Sequence, residues 1–345
     1  MDFLCTFAAM DIKLVIDDKI PFIREAVAKI TPRAVYKRGA DITAADVRDA
    51  DALIVRTRTR CDESLLAGSR VRFVATATIG FDHIDTAYLA SAGIAWANCP
   101  GCNAGSVEQY VRSALLLLQR DCGLRLPGST LGVVGCGHVG SRVCAVGREL
   151  GMRVLVCDPP VGAPGYVGMD VIEREADVVT FHVPLTDGGP YATRHLADAA
   201  FFARLARRPF LINTSRGPVV DNGALKSAIA GGRVRQAVID TWEHEPLIDT
   251  ELLSEVYIGT PHIAGYSADG KVNADNMAIA ALCRFFGIEN PGRIVPPPLP
   301  AGFRYSGDPL QLYNPLDDSR RLKLRPDLFE ELRGNYPLRR ESWEG

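Results

Sequence analysis

Gly135-Cys136-Gly137-His138-Val139-Gly140 follows directly on the β-branched run Leu131–Val134 and leads into an apolar helical pattern, Val143–Leu150. Three glycines in a G-x-G-x-x-G spacing mean little alone, because glycine serves any tight turn. The flanks give them meaning. The next apolar run, Val154–Cys157, ends in Asp158, eighteen residues past Gly140. A strand, a glycine turn, a helix and a second strand ending in an acid form the context of a dinucleotide-binding turn. Gly135 permits the tight turn, Gly137 lets the backbone approach a pyrophosphate, and Gly140 lets helix and strand pack closely. The amides of His138 and Val139 open the helix, where unbonded N–H groups favour phosphate. The side chains of Cys136 and His138 are bystanders. Asp158 suits ribose hydroxyls and repels a 2′-phosphate, so NAD is expected rather than NADP.

The same kind of run recurs on both sides of this turn. Downstream come Val178–Phe181, Phe210–Asn213, Ala237–Asp240 and Tyr257–Gly259, separated by helix-compatible stretches. Strands covered on both faces give such near-continuous apolar runs. Six of them suit a doubly wound dinucleotide fold. Upstream, Lys13–Ile16, Ala52–Arg56, Arg72–Ala77 and Ile94–Ala97 read as strands, with helical stretches at Phe22–Ile30 and Ala44–Asp49. That alternation predicts a second parallel α/β sheet. Between the two series lies a helix, Ser106–Asp121. Val107, Tyr110, Val111, Ala114, Leu115 and Leu118 share one face, and Ser106 with Gln109 fits a capping box. Val272–Ile288 is again helical. Pro296-Pro-Pro-Leu-Pro300 marks a linker, and the charged tail beyond it is partly helical at Pro326–Arg333.

Composition removes several function classes. Lys+Arg 39 against Asp+Glu 41 gives a net charge of −2, so no overall field draws nucleic acid or anionic lipid. No stretch approaches the ~20 apolar residues of a membrane span. MDFLCTFAAM lacks a basic leader and is a poor signal peptide. Met10 offers a second start ahead of the strand-like run Ile12–Ile16, which leaves Met1 and Met10 both open as the start. Nine cysteines without a secretion signal read as reduced thiols, and a cytoplasmic protein is expected. Cys99-Pro-Gly-Cys102 has no second CxxC or nearby His to complete a metal site, and no metal is expected.

Three polar clusters follow the later strands: Asn213-Thr-Ser-Arg216-Gly217, Asp240-Thr-Trp-Glu-His244-Glu245-Pro246 and Thr260-Pro-His262-Ile-Ala-Gly265. Open α/β sheets place ligands at those strand ends. Taking hydride from a 2-hydroxy acid needs a base for the hydroxyl proton and a cation for the carboxylate. His262 suits the base, Glu245 would orient its far ring nitrogen, and Arg216 offers a planar fork to oxygen. Rivals for the base are His182 and His83, both read as structural, while His244 is expected to point elsewhere. Arg56, Arg58 and Arg60 alternate after a strand and would share a face suited to a phosphate.

With these residues assembled, the chain resembles the D-isomer-specific 2-hydroxyacid dehydrogenase family from Met10 to about Gly287. The Arg/Glu/His set marks the broad family. Val55-Arg-Thr57, Thr76-Ala-Thr78, Asp82-His83, Pro100-Gly-Cys-Asn-Ala104, Cys157-Asp-Pro-Pro160, Asp221-Asn222 and His262-Ile-Ala-Gly-Tyr266 carry the likeness further, and the PGCNA, CDPP and HIAGY strings are the more specific. The resemblance implies an α/β Rossmann NAD-binding domain (106–264) inserted in a flavodoxin-like substrate domain (10–105 and 265–290). A C-terminal dimerisation segment (291–345), and so a homodimer, completes the implied architecture. The implied activity is NAD-dependent oxidation of 4-phospho-D-erythronate to (R)-3-hydroxy-2-oxo-4-phosphooxybutanoate in pyridoxal 5′-phosphate biosynthesis. Arg216, Glu245 and His262 match the family's catalytic residues. Asp158, Val183, Arg216, Asp240 and Gly265 fall where NAD is contacted, and Thr57, Thr78 and Tyr266 where substrate is. Thr57 stands for an expected serine, Val183 for a threonine, and the tail is shorter than expected. Arg56, or Arg339 or Arg340 of a partner copy, would meet the substrate phosphate. Another D-2-hydroxyacid dehydrogenase, of phosphoglycerate or glyoxylate type, and a non-catalytic NAD-responsive binding protein are the alternatives.

Overall fold

The computed structural model describes residues 11–343, so the choice between Met1 and Met10 lies outside it. The chain divides into two compact units, one comprising residues up to 103 together with 267–298, the other 104–266 with 299 onward.

The first unit holds a five-stranded sheet: β1 (Leu14–Asp17), β2 (Ala34–Lys37), β3 (Ala52–Val55), β4 (Phe73–Thr76) and β5 (Ala95–Ala97). All pairs are parallel, in the order β2-β1-β3-β4-β5. This is the flavodoxin-like order. Alternation along each strand sends neighbours to opposite faces. Leu14, Ile16, Ile54 and Phe73 meet Ala278, Ile279 and Leu282 of the helix Ala268–Phe286. Val15, Leu53, Val55 and Val74 meet Val47, Leu65, Leu66 and Leu89 on the other side. Each such side chain contributes about 2 kcal/mol on leaving water. β2 escaped the sequence pattern because it is a half-exposed edge strand, with no residue fully buried.

The second unit holds a six-stranded parallel sheet: β6 (Thr130–Val134), β7 (Arg153–Cys157), β8 (Val178–Phe181), β9 (Phe210–Asn213), β10 (Gln236–Ile239) and β11 (Ile258–Gly259). All six expected runs are strands to within one residue. Their order is β11-β10-β9-β8-β6-β7. The chain leaves β6 for β7 on one side and returns to β8 on the other, so a switch point lies between β6 and β8. Register puts Val134 beside Cys157 and Phe181, Phe181 beside Asn213, Asn213 beside Ile239, and Ile239 beside Gly259. The strands therefore end flush along one edge.

The helix Ala104–Cys122 covers one face of this sheet through Val107, Tyr110, Val111, Ala114 and Leu118. It starts two residues before the expected cap. The Ser106–Gln109 capping box does not form, because both side chains are engaged in tertiary bonds. Ser106 Oγ donates to the Ala264 carbonyl at 2.8 Å, and Gln109 Nε2 donates to the Arg340 carbonyl at 2.8 Å. Beyond the proline run the tail folds onto this unit, with Leu322 and Phe329 in one apolar cluster and Tyr313 in the other. No helix among the described residues is long and apolar enough to cross a membrane.

Candidate active site

The glycine turn leaves β6 at the switch point. Gly135 has φ +87°, and a side chain there would press on the His182 carbonyl at 2.8 Å and on Val183. Gly140 opens onto the Gly135 carbonyl, which a Cβ would meet at 2.0 Å. The helix His138–Glu149 starts from Gly137, beyond whose Cα there is open space. Its first amides have no intrahelical acceptor. A tight turn, a bare glycine facing open space and unbonded helix amides fit a pyrophosphate. Asp158, after β7, accepts the Cys136 amide at 2.7 Å and stands over the same turn, where ribose hydroxyls would compete for it. Asp158→Ala should raise the KM for NAD about 10-fold, the loss of charge-assisted bonds, and weaken discrimination against NADP. An unchanged KM would mean that Asp158 only braces the turn.

Flush strand ends also assemble the catalytic candidates. β9, β10 and β11 are neighbours, so the loops after them emerge side by side. Glu245 and His262, seventeen residues apart, meet there, with Glu245 Oε2 at 2.8 Å from His262 Nδ1. Glu245 Oε1 accepts the Trp242 amide at 2.9 Å. Burial works to raise the Glu245 carboxyl. The facing imidazole, the Trp242 amide and Arg333 outweigh that and leave it below the usual carboxylate range. Glu245 is thus an anion aimed at one ring nitrogen, which leaves Nε2 as the proton acceptor. His262 sits at φ +57°, a left-handed backbone held by its amide's bonds to the Asp240 and Thr260 carbonyls. The Asp240 carboxylate fixes the backbone on either side of it: Oδ1 accepts Thr260 Oγ1 and the Ile263 amide, each at 2.7 Å, and Oδ2 accepts the Ala264 amide at 2.9 Å. Both its oxygens are thereby engaged inside the chain, and burial holds its carboxyl above the usual range.

Arg216 leaves the end of β9. Its Nη1 donates to the Ser215 carbonyl at 2.9 Å, and its own carbonyl accepts Asn213 Nδ2 at 3.1 Å. Gly217, next to it, lies against the β10 loop so closely that a Cβ would fall 1.8 Å from the Trp242 carbonyl. The rival histidines are bound elsewhere. His182 Nε2 bonds Thr180 Oγ1 at 2.9 Å, and lost hydration pushes its imidazole down to about 3. His83 Nε2 bonds Thr76 Oγ1 at 2.9 Å. His244 is exposed in the loop. One pair was missed: His195 Nε2 lies 2.7 Å from Glu243 Oε1, joining two loops with no sequence pattern between them.

Of the expected substrate residues, Tyr266 belongs to the second unit and Thr57 and Thr78 to the first. Tyr266 follows the His262 loop, its ring edge-on to Tyr336 with centroids 6.2 Å apart, and Gly265 precedes it, half-buried. In the first unit Thr78 Oγ1 bonds Thr76 Oγ1 at 2.7 Å and the Gly80 carbonyl at 2.8 Å. Thr57 is exposed beyond β3. The shared face for Arg56, Arg58 and Arg60 is not there. β3 ends at Val55 and the chain turns, with the Thr59 amide bonded back to the Arg56 carbonyl. Arg56 donates to the Lys19 carbonyl at 2.9 Å, its Nε buried without a partner, while Arg60 pairs with Asp62. Arg339 corrects a second expectation. It is 9% exposed and bonded throughout within its own chain, which leaves it nothing for a phosphate on a partner copy.

Residues 103–264 match the family described as D-isomer specific 2-hydroxyacid dehydrogenase, NAD binding domain. The 3-phosphoglycerate dehydrogenase of Entamoeba histolytica, solved with NAD+ bound, superposes with a TM-score of 0.69 at 25% identity, over 84% of this chain and 100% of that one. The D-lactate dehydrogenase of Aquifex aeolicus, complexed with NAD and lactic acid, gives 0.65 at 25% identity, over 83% and 100%. Fold and cofactor turn together define an NAD-dependent dehydrogenase of 2-hydroxy acids. Much higher identity comes from a narrower group. The erythronate-4-phosphate dehydrogenase of Bacteroides fragilis is 53% identical over 338 residues, 96% of this chain and 97% of the relative. That of Edwardsiella ictaluri is 43% identical over 349 residues, 95% and 92%. The chain belongs to the D-isomer specific 2-hydroxyacid dehydrogenase family, among its erythronate-4-phosphate dehydrogenases.

Proposed function

We propose that this chain oxidises the C2 hydroxyl of 4-phospho-D-erythronate, giving (R)-3-hydroxy-2-oxo-4-phosphooxybutanoate for pyridoxal 5′-phosphate biosynthesis. The observation that carries the chemistry is the 2.8 Å bond between Glu245 and His262 at the flush end of the sheet. NAD, held by Gly135, Gly137, Gly140, the amides of His138 and Val139, and Asp158, supplies the hydride acceptor when bound. Val183, Arg216, Asp240 and Gly265 complete the proposed cofactor contacts. His262 takes the hydroxyl proton on Nε2. Glu245 keeps Nδ1 protonated and offsets the charge that forms on the ring. Arg216 holds the substrate carboxylate and polarises the forming carbonyl oxygen. Thr57, Thr78, Tyr266 and Arg56 are the proposed substrate contacts, with backbone amides near Ile79–Phe81.

NADH appearance with 4-phospho-D-erythronate, D-erythronate, 3-phospho-D-glycerate and glycolate tests the substrate. The phosphorylated erythronate should lead in kcat/KM by on the order of 100-fold or more, since a site built for a charged group rejects the analogue lacking it. Preference for 3-phospho-D-glycerate or glycolate would move the chain to another dehydrogenase type. Cofactor binding without turnover on any of them would favour a binding protein. The proposal includes a cytoplasmic homodimer. Eight described cysteines are free thiols, as a reducing compartment would have them, and sedimentation at micromolar concentration reads the assembly directly.

A further inference from the structure

Glu245 Oε2 faces a second cation besides His262. Arg333 comes from the tail helix Phe329–Gly334, and its Nη1 lies 3.9 Å from that oxygen. The same nitrogen lies 3.9 Å from Glu330 Oε1. Arg333 is 21% exposed, and its Nε is buried with no hydrogen-bond partner. A guanidinium usually meets a carboxylate through a bonded fork. Here it stands off as a charge. Its helix is anchored by Phe329, 1% exposed in the core of the second unit, so the charge is placed by packing rather than by its own bonds.

We propose that Arg333 is a positioning residue for proton transfer, a fixed positive charge behind Glu245 that limits how tightly the Glu245–His262 pair holds its proton. This rests on the proposed roles of those two residues. The physical reason is simple electrostatics. When His262 takes the hydroxyl proton, one carboxylate oxygen has two cations near it, at 2.8 and 3.9 Å. Arg333 favours the Glu245 anion and opposes the imidazolium behind it. The base then releases its proton more readily after each turnover.

Two acids near the pair are already engaged. Asp240 lies under His262, but its oxygens are engaged by Thr260 and two amides. Beside Pro261, a cavity of about 150 Å³ is lined by Asp318, Arg321, Glu331 and Tyr336. Asp318 there already accepts both the Tyr313 and Tyr336 hydroxyls, at 3.1 and 2.9 Å. Among the described residues of the tail, Arg333 is the cation that lies within 4 Å of Glu245.

The test is the pH profile of kcat/KM for oxidation, in the full-length protein, for Arg333→Met, Arg333→Gln and Arg333→Lys. Oxidation needs unprotonated His262, so activity falls on the acid side. Losing a like charge favours the imidazolium and moves that acid limb to higher pH, by roughly 0.5–1 unit. Met and Gln should both show it, with turnover near wild type well above the limb, and Lys should stay near the wild-type profile. Titration with NADH, read by fluorescence, checks that each variant retains the cofactor site. An unmoved limb in both Met and Gln variants overturns the proposal. So does an equal loss at every pH in all three, which marks a merely structural role. If His262→Asn keeps turnover, the underlying assignment of the base fails as well; if it loses turnover while the limb stays put, only Arg333 is dismissed.

Discussion

Replacing His262 by Asn should lower kcat for oxidation by about 10²–10⁴-fold, the span of a lost general base, and leave NAD affinity within about twofold. Asn is the informative choice because of the backbone. His262 sits at φ +57°, a conformation Asn adopts more readily than Ala does. The variant therefore removes the ring without forcing the loop. NAD affinity should survive because the glycine turn and Asp158 lie on β6 and β7, while His262 follows β11. A kcat within tenfold of wild type would place the base elsewhere. The nearest substitute in chemistry is the His195–Glu243 pair, bonded at 2.7 Å. His195→Asn should leave kcat close to wild type, which separates the two pairs in one experiment. His182 is a poor substitute, because loss of hydration keeps its imidazole neutral and weakly basic.

How much the amino-acid order disclosed, and how much it hid, depends on the range of each interaction. Strands buried on both faces must be apolar along their length, so β6 to β11 stood out run by run. Parallel topology does the rest for Glu245 and His262: once β10 and β11 are neighbours, the residues just past their ends have to emerge together. The resemblance supplied the flavodoxin-like order of the first sheet. Readings failed where side chains answer to partners far along the chain, and once where a strand ended a residue early. Ser106 and Gln109 looked like a local cap, yet Gln109 Oε1 accepts Arg339 Nε across 230 positions. Arg56, Arg58 and Arg60 alternated as a strand would, but the turn after Val55 broke the alternation. Arg333 and Arg339 are charged residues in a charged tail, and nothing in their spacing distinguishes either from solvated surface.

Arg339→Met should cost the second unit about 3–5 kcal/mol, the loss of charge-assisted hydrogen bonds together with buried acceptors left without a donor. Its guanidinium bonds the helix Ala104–Cys122 and the segment after His262 at once. Nε donates to Gln109 Oε1 at 2.8 Å. Nη1 donates to the carbonyls of Ile263 and Tyr266 at 3.1 and 2.9 Å. Nη2 donates to Ser106 Oγ at 3.0 Å and to the Ala264 carbonyl at 2.7 Å. The Tyr313 ring lies 3.8 Å from its central carbon, adding a cation–π contact. Met keeps much of the aliphatic volume but takes the donor from Gln109 Oε1 and the Tyr266 carbonyl, each a cost of about 1–3 kcal/mol when nothing replaces it, while the Ala264 and Ile263 carbonyls keep their bonds from Ser106 Oγ and the Tyr266 amide. For a unit of this size the loss corresponds to a fall in Tm on the order of 10 °C. Lys should rescue only part of it, since an ammonium cannot span acceptors arranged around a planar fork. Because Ile263, Ala264 and Tyr266 directly follow His262, the variant should also lose turnover below its unfolding temperature. A Tm within about 2 °C of wild type would mean that solvent reaches these carbonyls and that the tail is held by its apolar contacts alone.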